Sequence, residues 1–482
     1  MKKNAFVSAV ALVATTMTAC TVGPDYVSPE VGDNADWIAP GAAQHANAVP
    51  KEWWTLLDDE ELDGYLSLAA ERNLDVKVAV ARVDEARALR GIARSAFWPQ
   101  IATEARYTRF EQSLESPGSA GPLIDAGLVD RNIEFYGTSL DASWELDPFG
   151  GNRRQAEAAD AALGASIAAR DAAILSVLAE TASAYFELRG AQQRLAIAES
   201  NIEAQRKTAD LTRRKVEAGL ARRIDRLRAE AQLDAIEALV PTLRASIRAS
   251  TYRLGVLTGR RPEHMTDQVA RGGRLPAALQ SPPIGMRADV LRRRPDVAVA
   301  ERRLAAATAE IGVAKAEFFP KLALTGAFGF EAADASDIGA GRSRTSALVP
   351  FVSWPVFQGG RLRANLEGAD ARARAAAFSY EKTILTALAD AESAISAYTE
   401  EFQTWRNLTA AANASSEAAE LARKLYEKGL ADFLTVLDAE RRRDENEDAR
   451  AQSHTRLLLN LVRVYKSLGG GWAIPGSSFR PG

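Results

Sequence analysis

Ile133-Glu-Phe-Tyr-Gly-Thr-Ser-Leu-Asp-Ala-Ser-Trp-Glu-Leu146 alternates in polarity from Tyr136 onward. Tyr136, Thr138, Leu140, Ala142, Trp144 and Leu146 fall on one side; Gly137, Ser139, Asp141, Ser143 and Glu145 fall on the other. Successive side chains of a strand point to opposite faces, so the segment reads as a strand with one apolar and one polar face. Immediately beyond it the pattern changes, and no proline occurs from Gly151 to Val240. A stretch without proline can run as one uninterrupted helix. Arg153 to Ala218 gives about 65 residues, roughly 100 Å at 1.5 Å per residue. Such a length exceeds ordinary globular helices and points to coiled-coil packing.

The same succession occurs twice. Leu74-Asp75-Val76 and Pro295-Asp296-Val297 open two similar stretches, in register through Gly91 and Gly312 to Phe97-Trp98-Pro99 and Phe318-Phe319-Pro320. Later, Gly219-Leu220-Ala221 matches Gly429-Leu430-Ala431, and the match runs on to Ala229-Glu230 and Ala439-Glu440. A period of roughly 210–220 residues is too long for a solenoid and implies two halves of one pseudo-symmetric body. Each half reads helix, strand pair, very long helix, turn, long helix. Leu362 to Lys428 is the second very long helix.

Apolar residues at alternating spacings of four and three support coiled-coil seams. Ile384, Leu388, Ala391, Ile395, Tyr398, Phe402 and Trp405 form one, and Leu178, Thr181, Tyr185, Leu188, Gln192 and Leu195 a less pure one. The returning helices repeat the pattern at Leu243, Ile247, Ser250, Leu254 and Leu257, and at Leu457, Leu461, Val464 and Leu468. Pro241 interrupts the first returning helix where the second has Ala451, which predicts a local kink.

Three further strands are expected at Ile101–Phe110, Lys321–Phe330 and Ser346–Phe357. Strands of about 10 residues with one apolar face fit a transmembrane barrel wall. Trp144, Trp354 and Phe357 would stand at strand ends as an aromatic girdle. Four strands cannot close a barrel, and lipid does not tolerate open sheet edges. Several chains must therefore pool their strands.

Composition narrows the function. The 482 residues carry 60 Lys+Arg against 63 Asp+Glu, a balance that excludes a basic field and nucleic acid as partner. A mean hydropathy of −0.18 does not suit a bundle of membrane-spanning helices. His45, His264 and His454 are scattered, and no catalytic or metal-binding motif appears, so no enzyme, catalytic residue, metal or cofactor is expected. The single cysteine, Cys20, follows Lys2, Lys3, an apolar run from Ala5 to Ala14 and Met17-Thr18-Ala19. Residues 1–19 thus read as a signal peptide, and Cys20 in that place resembles the lipid-bearing residue of a bacterial lipobox. Thr21, rather than Asp, resembles outer-membrane sorting.

Assembled, these features are similar to the TolC-type outer-membrane factor family, in its lipoprotein, NodT-like branch serving RND efflux systems. The resemblance rests on Cys20 with Gly23-Pro24-Asp25-Tyr26, Trp53-Trp54, Arg293-Arg294-Pro295-Asp296-Val297, Phe318-Phe319-Pro320, Tyr426 to Leu430, Leu437-Asp438-Ala439-Glu440 and Gly469-Gly470-Gly471-Trp472. It implies a mixed α and β fold: a homotrimer whose protomers each give four strands to one transmembrane β-barrel, continued by a long periplasmic α-helical barrel. The expected organisation is a lipidated N-terminal and equatorial segment at 20–60, a first repeat at 61–258 with its strand pair near 100–147, and a linker at 259–286. A second repeat follows at 287–468 with its strand pair near 320–358, then a tail at 469–482.

The family implies a passive exit duct in the outer membrane, joined through a periplasmic adaptor (membrane fusion protein) to an inner-membrane RND pump. Gly219, Leu220, Gly429 and Leu430 would make the adaptor-facing turns. Asp438 matches a family position where carboxylates ring the aperture, with Asp432 and Asp225 as further gate candidates; the neighbouring family position holds Thr435 here. Three like carboxylates near an axis repel one another and favour cations. Two other classes compete. A lipid-anchored periplasmic adaptor needs one hairpin and lipoyl-like β halves, against two hairpins and amphipathic strand pairs here. The other is a soluble coiled-coil scaffold with no transport role.

Overall fold

The computed structural model describes residues 21–29, 36–39, 49–115, 121–128, 130–265 and 272–471. The signal segment 1–19, Cys20 and Trp472 lie outside the described residues. Helices run as α1 (Glu60–Arg72), α2 (Leu74–Ser95), α3 (Gly151–Glu217), α4 (Arg223–Glu237), α5 (Leu239–Leu257), α6 (Arg287–Arg293), α7 (Pro295–Ala316), α8 (Arg361–Glu427) and α9 (Phe433–Ser467). Strands are β1 (Gln100–Glu111), β2 (Asn132–Leu146), β3 (Lys321–Ala332) and β4 (Arg344–Ser353). The chain divides into two compact units. One takes residues up to Ser28, Asp84–Gly164 and Glu301–Phe378; the other takes Pro29–Val83, Ala165–Ala300 and the chain from Ser379 on. Both 67-residue helices, α3 and α8, contribute to both units.

The first unit holds one antiparallel sheet of order β1-β2-β3-β4. Its register brings the apolar positions into common rows. Ile101, Ala142, Gly326 and Leu348 lie opposite one another, as do Thr103, Leu140, Phe328 and Ser346. The two-residue period then gives one face Ile101, Leu140, Trp144, Leu324, Phe328 and Val352, and the other Glu104, Arg106, Asp141, Glu145, Lys321 and Glu331. Among the described residues, β1 and β4 are both unpaired along their outer edges. β4 ends at Ser353, short of the expected Phe357. Pro355 has no N–H to donate and restricts Trp354 before it, so the ladder stops there. Trp354 stands just beyond the strand and donates its indole N–H to the Phe318 carbonyl (3.0 Å); Trp144 does the same to Phe97 (3.1 Å). The two halves thus tie each helix-to-strand corner in the same way.

The second unit is a helical core. Tyr185, Phe186 and Leu188 of α3 pack with Leu254 of α5 and Leu457, Leu461 and Tyr465 of α9, all within one buried cluster. Trp53 stacks on Tyr465 with ring centroids 4.9 Å apart. The expected seams are present where they enter this core: Ala391, Ile395 and Tyr398 of α8 are buried, as are Leu457, Leu461, Val464 and Leu468. The returning helix of the first repeat breaks at Ala238, so that Pro241 falls in the first turn of α5. There its missing N–H would lack a helical partner in any case. α9 instead runs unbroken for 35 residues.

Candidate functional site

Both hairpin turns close the same way. The Gly219 N–H donates to the Val216 carbonyl and the Leu220 N–H to Lys215; the Gly429 N–H donates to Tyr426 and the Leu430 N–H to Leu425. This is the Schellman ending, which needs a left-handed residue after the helix. Gly219 and Gly429 supply it with φ of +74° and +76°. Leu220 and Leu430 are 78 % and 72 % exposed, an unusual place for leucine. The turns are joined: the Lys215 ammonium donates to the Tyr426 carbonyl at 2.6 Å and lies 3.9 Å from the Tyr426 ring centre.

The three gate candidates fall in different settings. Asp432 caps α9, accepting from the Thr435 N–H at 2.8 Å and from the Thr435 hydroxyl at 2.6 Å. These bonds, with the Arg222 charge as a smaller cause, hold its carboxyl below the usual range. Asp225 stands three residues into the equivalent turn and accepts from the Arg222 N–H at 3.2 Å, its side chain only 9 % exposed. Asp438 is 72 % exposed and lies 3.9 Å from Arg442. Asp432 and Asp225 therefore act first on their own helix ends, whereas Asp438 stays exposed.

One ionisable group escaped the sequence reading. Glu440 is fully buried, accepts from the Thr208 hydroxyl at 2.8 Å, and has its second oxygen unpartnered. Arg423 lies 4.0 Å away. Burial pushes its carboxyl up, against the opposing pull of Thr208, Arg443 and Arg423. It faces a polar seam on α3: Asn201, Gln205, Thr208 and Thr212 are all buried at helical spacing. Glu440 sits in sequence beside Arg441, Arg442, Arg443 and Asp444, which reads as a solvated face.

The strap after Cys20 is also built in. The Val22 N–H donates to the Phe149 carbonyl at 3.0 Å, between the end of β2 and the start of α3. The Arg154 guanidinium, 3 % exposed, donates to the carbonyls of Val22 and Gly23 and to Asp25 at 2.6 Å. Gly23 (φ +100°) crosses Gly312 so closely that a β-carbon on Gly23 would fall 2.5 Å from the Gly312 α-carbon. Tyr26 donates to Glu301 at 2.6 Å.

Comparison with known proteins places this arrangement. Residues 65–260 and 287–470 match the profile of the family described as outer membrane efflux protein. The chain is 32 % identical to nodulation protein T of Rhizobium leguminosarum bv. trifolii, over 88 % of this chain and 89 % of that protein. It is 31 % identical to outer membrane protein OprJ of Pseudomonas aeruginosa, over 98 % and 97 %. Among solved structures, the outer-membrane channel OprN superposes with a TM-score of 0.86 at 39 % identity, covering 94 % of this chain and all of that one. The open-state MtrE channel of Neisseria gonorrhoeae gives 0.82 at 29 % identity, covering 94 % and 99 %. The chain belongs to the outer membrane efflux protein family.

Proposed function

We propose that three copies of the chain, each anchored through a lipid on Cys20, form one duct whose hairpin turns meet a periplasmic adaptor carrying solutes from an inner-membrane RND pump. The chain is an outer-membrane channel of a tripartite efflux system, a passive exit duct reaching into the periplasm. The observation that carries this reading is the sheet with an apolar and a polar face and two unpaired edges, which only other copies can complete. Heat-modifiable trimers in outer-membrane fractions are the expected result; a monomer released by salt alone would overturn it.

The strap supports a lipid on Cys20. Thr21 follows Cys20 directly and packs on Gly150, where the sheet passes into α3. Acyl chains there would enter the membrane beside the barrel rim, and several buried chains anchor stably. Radiolabelled palmitate should be incorporated by the wild type and lost in Cys20→Ser. For the gate, the exposed carboxylate of Asp438 is the favoured element. Asp438→Ala should raise single-channel conductance in planar bilayers, and unchanged conductance removes Asp438 from the gate.

A further inference from the structure

The duplicated hairpin ends keep one backbone and carry opposite charge. Between Asp210 and Glu230 the first holds seven Arg or Lys against four Asp or Glu, a formal +3. Between Glu420 and Glu440 the second holds three against five, a formal −2. Two equivalent positions reverse sign outright: Arg222 stands for Asp432, and Arg228 for Asp438.

Ion pairing inside the chain does not remove the difference. Arg213 pairs with Asp210 at 3.0 Å, Arg226 with Glu230 at 3.5 Å and Arg222 with Asp225 at 3.7 Å. Arg223 and Arg228 remain exposed, with no carboxylate partner among the described residues. They share one helix face with Ile224 and Leu227, 47 % and 49 % exposed, beside Leu220. On the second hairpin the equivalents of Arg223 and Leu227 are Phe433 and Leu437, both buried. Of its carboxylates, Asp432 serves as a helix cap, while Asp438 stays 72 % exposed with Arg442 3.9 Å away. The first end is thus an apolar patch rimmed by free guanidinium groups, whereas the second keeps Leu430 and Leu434 exposed but has Phe433 and Asp438 where those two arginines stand.

We propose that the first-repeat hairpin end, through Arg223 and Arg228 around Leu220, Ile224 and Leu227, docks a partner helix tip flanked by carboxylates, and that the second-repeat end does not. This rests on the reading that the turns face the adaptor. A surface complementary to one end repels the other, so the two ends of each protomer take different faces of the partner.

The test uses the purified full-length trimer in detergent and two synthetic helical hairpins with the same leucine tip, one flanked by Glu and one by Lys. The Glu-flanked probe should bind at least tenfold tighter at low salt, with the advantage shrinking as salt rises. The double variant R223E/R228E should reverse the preference, and Lys428→Glu on the second hairpin should leave it within twofold. Equal affinity for both probes, binding of neither, or a preference unchanged in R223E/R228E overturns the proposal. Leu220→Asp should abolish capture of both probes. If it does not, the turn reading fails, which differs from loss of the charge preference alone. A raised conductance of R223E/R228E with unchanged probe preference assigns the two arginines to a neighbouring copy and overturns an adaptor role.

Discussion

The first-repeat and second-repeat hairpins close with the same hydrogen bonds and the same left-handed glycine, yet they differ in charge and in how the next helix is capped. In the second, the cap residue Asp432 accepts from the N–H three residues on. In the first, Asp225 three residues on accepts from the N–H of the cap residue, Arg222. Either arrangement satisfies a helix-end donor, so selection on the turn leaves the sign of the charge free to diverge. The returning helices differ too, one broken at Ala238 and the other unbroken. Duplication has held the geometry that reverses the chain and released what that geometry presents.

The largest effect should come from forcing the first repeat's interruption on the second. Ala451 is buried in the middle of α9, where proline costs about 3 kcal/mol or more. Ala451→Pro should abolish heat-resistant trimers, while Pro241→Ala in the first repeat shifts their melting only slightly. Equal effects would show that the two returning helices bear the same load. Next come the turns. Gly219→Ala and Gly429→Ala each place a β-carbon in the left-handed region, costing roughly 1–2 kcal/mol. Open space surrounds both glycines, so the two losses should match in thermal unfolding; a clear inequality would mean that one turn is buried by a partner copy.

The smallest effect sets the buried Glu440 against the exposed Glu230, its counterpart in the first repeat. Burial raises the Glu440 carboxyl above its ordinary value, so the folded hairpins favour its protonated form. That contribution is complete below the ordinary glutamate value and is lost as pH rises through the raised one. Arg423, Arg443 and Asp444 face the same site and share the response. Amide exchange at residues 205–212 should therefore quicken from acid to neutral pH beyond its intrinsic rate, and Glu440→Gln should flatten that dependence. An unchanged pH profile in Glu440→Gln would remove the carboxyl as its cause.

Much of this was legible in the residues because the deciding signals are periodic or local. Alternation in Ile133–Leu146 and the 4-3 seams survive in any context that buries one face, and the register confirms the faces of β1, β2 and β3, whereas β4 carries apolar residues on both, Leu348 and Val352 on one and Val349 and Phe351 on the other. Pro241 marks a helix break by its own chemistry. What was not legible depends on residues distant in sequence. The burial of Glu440 is fixed by Thr208, 232 residues away, and the strap by the Gly23–Gly312 crossing and Arg154. The end of β4 was overrun because Trp354 and Phe357 continue the apolar pattern after the hydrogen bonds have stopped.

The two open strand edges carry a genetic consequence. Each duct is sealed only if every junction between copies forms, so one protomer with a spoiled β1 or β4 breaches the whole ring. A minority of such protomers, mixed at random with intact ones, would leave most assemblies defective. Edge-strand alleles should therefore be dominant over a resident wild-type copy, whereas alleles that merely unfold the chain before assembly should be recessive.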